Sequence, residues 1–149
     1  MLLPLAACGG GGPAPCAASP GTIPVTLAAR GGARVICAEV ADTAEEQRRG
    51  LMFRTDLKPD EGMLFAPYPP EGGPPREAGF WMKDTPAPLD ILFIRADRTI
   101  ARIAENTVPF SEEPIPSGEP VAAVLEINGG RAAELGVGEG GRVDWPAAE

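Results

Sequence analysis

From Phe80 to Ile94 the chain reads FWMKDTPAPLDILFI, a short aromatic strand, a proline-punctuated turn and then its most apolar stretch. Side chains alternate along a strand, so Leu89, Ile91 and Phe93 fall on one face and Asp90, Leu92 and Ile94 on the other. Both faces are apolar, which predicts a central strand covered on both sides. Asp90 is then a carboxylate among apolar neighbours. Burial requires it to be paired, hydrogen-bonded or protonated. VAAVLEI, residues 121–127, repeats the pattern. Val121, Ala123, Leu125 and Ile127 oppose Ala122, Val124 and Glu126, which makes Glu126 a second acid on an apolar face.

Weaker patterns fill in the rest. TIPVTLAA and ARVICAEVA, joined at Arg30-Gly31-Gly32, predict a hairpin with Ile36, Ala38 and Val40 on one face of its second strand. Thr43 with Glu46 fits a capping box, and Gly50 stops the short surface helix that follows. Lys58 to Gly62 is a turn into the strand Met63-Leu64-Phe65. Residues 66–79 read as a solvated loop or a lid, and residues 108–120 as an extended, proline-rich connection. Thr99 to Asn106 is a strand. Gly129 to Leu135 makes one or two helical turns ended by Gly136, and Gly140 to Asp144 supplies a last strand. The prediction is a mainly β domain, a compact β-sandwich or half-open barrel of about seven or eight short strands with one or two short helices.

Composition narrows the chemistry. The 149 residues carry a net charge of −8, which disfavours nucleic acid as a partner. No histidine is present, so histidine triads, bases and metal ligands are excluded. Cysteines stand at 8, 16 and 37, too few and too scattered to predict a disulfide framework or a zinc site. Cys16 reads as inert, and Cys37 as a small strand residue. The methionines read as core packing, and neither metal nor cofactor is expected.

Leu5-Ala6-Ala7-Cys8 resembles the lipobox of bacterial lipoproteins, which implies lipid modification of Cys8. Residues 1–7 are then a truncated signal remnant and 8–21 a Gly/Pro/Ala tether. A single β domain occupies 22–146, with 147–149 as a tail. These features predict a protein of the bacterial cell envelope, on its extracytoplasmic side, held to the membrane through Cys8.

Several longer motifs agree with one family. They are Ala41-Asp42-Thr43, Gly50-Leu51-Met52-Phe53-Arg54, Gly62-Met63-Leu64-Phe65 and Phe80-Trp81-Met82-Lys83 with Thr85. Pro88-Leu89-Asp90, Phe93-Ile94 and Val124-Leu125-Glu126 with Gly129-Gly130 complete the set. From about residue 22 to 145 the chain resembles the domain of unknown function 192. The resemblance implies a mainly β fold, frequent export and no established activity. Two departures are Asp84, where the family usually has Asn, and a longer loop ahead of Phe80.

The polar residues set in apolar sequence are Arg54, Lys83, Thr85, Asp90 and Glu126. Two acids and two cations suggest mutual balance, either as a structural ion-pair cluster or as part of a pocket beside Trp81. Arg54, Trp81, Lys83, Thr85, Asp90 and Glu126 are therefore the candidate ligand-binding residues, and no catalytic residue is assigned. The predicted function is a non-catalytic binding or accessory module for a small ligand, such as a sugar or peptide, or for an envelope protein. The alternative is a hydrolase of envelope glycans using Asp90 and Glu126, which requires both acids in one cleft.

Overall fold

The chain, seen in a computed structural model, is described here over residues 14–147. Within them the alternating patterns form nine strands. These are β1 (Ile23–Ala29), β2 (Gly32–Ala41), β3 (Glu61–Phe65), β4 (Arg76–Phe80), β5 (Leu89–Ile94), β6 (Ile100–Ala104), β7 (Ile115–Val121), β8 (Ala123–Asn128) and β9 (Val143–Asp144). Two short helices accompany them, α1 (Ala44–Arg49) and α2 (Arg131–Leu135). Seven strands form one sheet in the order β6-β5-β8-β3-β2-β1-β9, while β4 and β7 form a separate ribbon. The large sheet curls until Thr99, ahead of β6, bridges Arg142, ahead of β9. The result is the half-open barrel that the pattern predicts.

Strand parity divides the interior into two cores. Every residue of β5 is buried. Leu92 and Ile94 join Val25, Ile36, Leu64, Leu125, Ile100 and Val143, so all seven strands contribute to the concave core. Leu89, Ile91 and Phe93 face the other way, with Phe65, Met82 and Val124, beneath the ribbon residues Ala78 and Val121. Each large side chain buried here contributes about 1.5–3 kcal/mol. Strands β3 and β8 approach so closely that a Cβ on Gly62 would stand 2.5 Å from the Glu126 carbonyl oxygen. Glycine is the residue that fits there.

The surface helix forms as its caps predict. The Thr43 hydroxyl accepts from the Glu46 amide, the Glu46 carboxylate accepts from the Thr43 amide, and no residue of α1 is buried.

Two expectations need correction. Residues 76–79 and 115–120 were expected to be loop and connection, yet they form β4 and β7, with Glu77 opposite Pro120 and Gly79 opposite Pro116. Proline cannot donate to a ladder, but a narrow ribbon with a bulge between Glu77 and Gly79 leaves those positions free of that demand. The second correction concerns the cysteines. Cys16 and Cys37 form a disulfide, so neither is the plain residue expected. Cys37 lies on the face of β2 opposite Ile36 and Ala38, and there the incoming chain meets it. The Ser19 hydroxyl also donates to Glu61, at 2.8 Å. From Cys16 onward the segment read as tether is therefore fastened to the sheet. Residues 1–13, with the signal remnant and Cys8, lie outside the described residues, as do 148 and 149.

Candidate functional site

Cross-strand register decides where the two buried acids point. On β8, Glu126 pairs with Met63 of β3 and Ile91 of β5, so its side chain joins the core beneath the ribbon. Asp90 pairs with Ile127 and projects into the concave side. The two acids stand on opposite faces of one sheet and share no cleft. Paired-carboxylate hydrolysis through them has no geometric basis.

Their surroundings differ as much as their directions. Asp90 is fully buried and accepts three backbone N–H bonds. Asn106 and Gly130 donate to Oδ1 and Ala132 to Oδ2, each at 2.9 Å. These bonds fasten the turn before Thr107 and the start of α2 to the centre of the sheet. No cation is needed. Among the described residues, by contrast, the Glu126 carboxyl has neither an ion pair nor a hydrogen bond. Burial alone pushes its pKa up to about 8, so it carries its proton at neutral pH.

Above Glu126 lies a cavity of about 30 Å³, walled by Gln47, Leu51, Phe65, Trp81, Lys83 and Thr85. That is room for about one water or one hydroxyl group. Helix α1 supplies one wall, and Gly50 lets the chain turn against the Phe65 ring. A shallower hollow of about 160 Å³ continues past Gln47 and Arg48 to Tyr68, Phe80 and Trp81. Trp81 is 42% exposed, and Lys83 Nζ stands 5.2 Å from its ring centroid. Thr85 is buried, its hydroxyl donating to the Lys83 carbonyl at 3.0 Å. Gln47 donates from Nε2 to the carbonyls of Ala41 and Pro67, which leaves Oε1 buried without a partner. Gln47 lines the same cavity, although nothing in the sequence of a surface helix singles it out.

Backbone strain surrounds the same turn. Phe53, Asp84 and Phe110 have φ of 63°, 52° and 63°, in the left-handed region that costs most residues about 1 kcal/mol. The amides of Phe53 and Phe110 donate to the carbonyls of Asp84 and Thr85, at 2.7 and 3.1 Å. Asp and Asn are the residues other than glycine that best tolerate this conformation. Asp84 is therefore suited to its left-handed position.

Four of the six expected residues, Trp81, Lys83, Thr85 and Glu126, come together at this groove. Asp90 does not, and neither does Arg54. The Arg54 guanidinium pairs with Glu39 at 3.0 Å and Asp56 at 2.8 Å. The hydrogen bonds it donates to Glu39 and then Asp56 hold its pKa above the ordinary value. It borders a separate hollow beside Cys37 and Ser19. The balanced set of two acids and two cations is not assembled. No group of three or more Cys, Asp or Glu able to hold a metal ion occurs among the described residues.

Comparison with known proteins adds relatives without an activity. The sequence profile of DUF192, described as an uncharacterized ACR, matches residues 25–145. A protein of unknown function from Novosphingobium aromaticivorans DSM 12444 has a similar crystal structure. It is 48% identical, with a TM-score of 0.77 over 83% of this chain and 85% of that one. A second, from Sinorhizobium meliloti 1021, is described as a candidate transcription regulator. It is 42% identical, with a TM-score of 0.76 over 83% of this chain and 93% of the other. Among curated proteins nothing matches the chain.

Proposed function

The chain belongs to the DUF192 family, and on that premise we propose that it is an exported, lipid-anchored binding module that holds a small polyhydroxylated ligand, a sugar, against Trp81. The observation that carries this reading is the uncompensated Glu126 carboxyl at the floor of a one-hydroxyl cavity beside an exposed indole. A protonated carboxyl both donates and accepts, as a sugar hydroxyl requires. The half-exposed Trp81 face offers a stacking surface. Arg48 and Lys83 make the rim basic, which favours a sugar bearing a carboxylate. The net charge of −8 argues against nucleic acid.

Titration with N-acetylated and acidic monosaccharides tests the reading. Saturable quenching of tryptophan emission and a rise in melting temperature are expected, and both should vanish in Trp81→Ala. A panel without any response overturns it. Export is supported by the Cys16–Cys37 disulfide, since such bonds persist in oxidising compartments. Cys8→Ser should move the protein from the membrane fraction to the soluble one, and an unchanged distribution rejects the anchor.

One observation favours a second reading, docking of an envelope protein. Phe53 and Phe110 are 74% and 63% exposed on strained backbones flanking Asp84 and Thr85. Phe53→Ser with Phe110→Ser should abolish capture of a partner and leave sugar binding unchanged.

A further inference from the structure

On the concave side of the sheet, away from Trp81, the mouth of the half-barrel holds a cavity of about 640 Å³. That volume is in the range of sites for small organic molecules. Ile23, Val40, Leu64 and Ala122 form its apolar wall, and Trp145 and Arg98 form the rim. Val40 explains itself here. It shares the face of Ile36 and Ala38, yet it is 38% exposed because it opens onto this cavity.

Arg98 is the informative residue. It occupies the tight turn between β5 and β6 at φ 69°, a left-handed position where glycine would be unstrained. Its guanidinium lies 3.4 Å from the Trp145 ring centroid and donates to the Trp145 carbonyl at 3.5 Å. Arg54, Arg76, Arg95, Arg131 and Arg142 each hold a carboxylate. Among the described residues Arg98 holds none, as is also true of Arg30, Arg34, Arg48, Arg49 and Arg102, but of these arginines it is the one that lines the cavity. Burial draws its pKa below the ordinary value, while the nearby Asp144 charge opposes that effect. A single fork-shaped cation at the rim of an apolar cavity is complementary to one planar anion carried on an apolar chain.

We propose that the barrel mouth binds a medium-chain alkyl carboxylate, its chain against Val40, Leu64 and Ala122 and its carboxylate paired with Arg98. This site is separate from the Trp81 groove and stands whether or not that groove takes a sugar.

The test uses the full chain carrying Trp81→Phe, so that Trp145 is the sole tryptophan, with decanoate and 1-decanol as probes below their aggregation limits. Decanoate should shift Trp145 emission saturably and bind more tightly than 1-decanol. Arg98→Gln should weaken decanoate by about tenfold while leaving 1-decanol unchanged. Arg98→Lys should retain most of the preference for decanoate, and Ala122→Phe should exclude both probes by filling the cavity. Equal affinity for the two probes, an unaffected Arg98→Gln or undiminished binding in Ala122→Phe overturns the proposal. If circular dichroism finds Arg98→Gln unfolded, the Lys and Ala122→Phe variants decide it.

Discussion

The two faces of the central sheet hold one buried acid each, and they treat it in opposite ways. On the concave side, Asp90 spends its carboxylate on three backbone amides from two segments, leaving it little capacity for a ligand. Beneath the ribbon, Glu126 is desolvated to a similar degree but answered by nothing. Burial of a charged side chain is therefore no sign of function on its own. The useful sign is burial without satisfaction, next to space that an outside group can enter. By that measure Asp90 is a fastener, and Glu126 is the acid left open to an outside group.

Mutations can test that contrast. The largest effect is expected from Asp90→Ala, which leaves three amides unpaired and detaches α2 from the sheet. The loss should be about 3–5 kcal/mol in urea denaturation. A cost below about 1 kcal/mol would mean that the two acids are not so different.

Gly62→Ala comes next. The new methyl has to displace the Glu126 carbonyl, 2.5 Å away, and so spread β3 from β8. A loss of about 1–3 kcal/mol is expected, together with weakened ligand binding because Glu126 moves. Destabilisation with binding intact would separate the strand contact from the cavity.

Glu126→Gln is the smallest change in energy at low pH, and its sign reverses the other two at high pH. The native pKa, about 8, lies above the ordinary value of 4.5, so between these limits the folded state binds the proton more tightly than the unfolded one. Stability contributed by the protonated form is present below pH 4.5 and is lost as pH rises through about 8. Melting curves across that window should fall with pH in the natural chain and fall less in Glu126→Gln. Parallel curves would show that Glu126 finds a partner. Sugar binding should likewise weaken above pH 8, when the carboxyl can no longer donate.

Much of this was written locally. The parity of β5 and β8 named both acids and assigned each to an apolar face before any partner was known. Trp81, Lys83 and Thr85 were legible as an aromatic and polar cluster because they lie within five residues of one another. Arg54 was misgrouped because its partners Glu39 and Asp56 are ordinary surface acids with no pattern of their own. Gln47 was missed for a similar reason: only tertiary packing strands its oxygen.

Determined by the sequence alone were the strands of the large sheet, the capped helix, the glycine stops and the two-sidedness of the core. Each depends on the period of the backbone and on neighbours a few residues away. Tertiary structure decided the parallel pairing of β2 with β3, the proline-bearing ribbon, the Cys16–Cys37 bond and which acid is satisfied. Those outcomes depend on which distant segment comes alongside. Asp90 meets amides sixteen and forty or more residues away, while the Glu126 carboxyl finds no hydrogen-bond partner among the described residues and borders a gap. The same chemical group is satisfied or left open according to what the curl of the sheet brings to it.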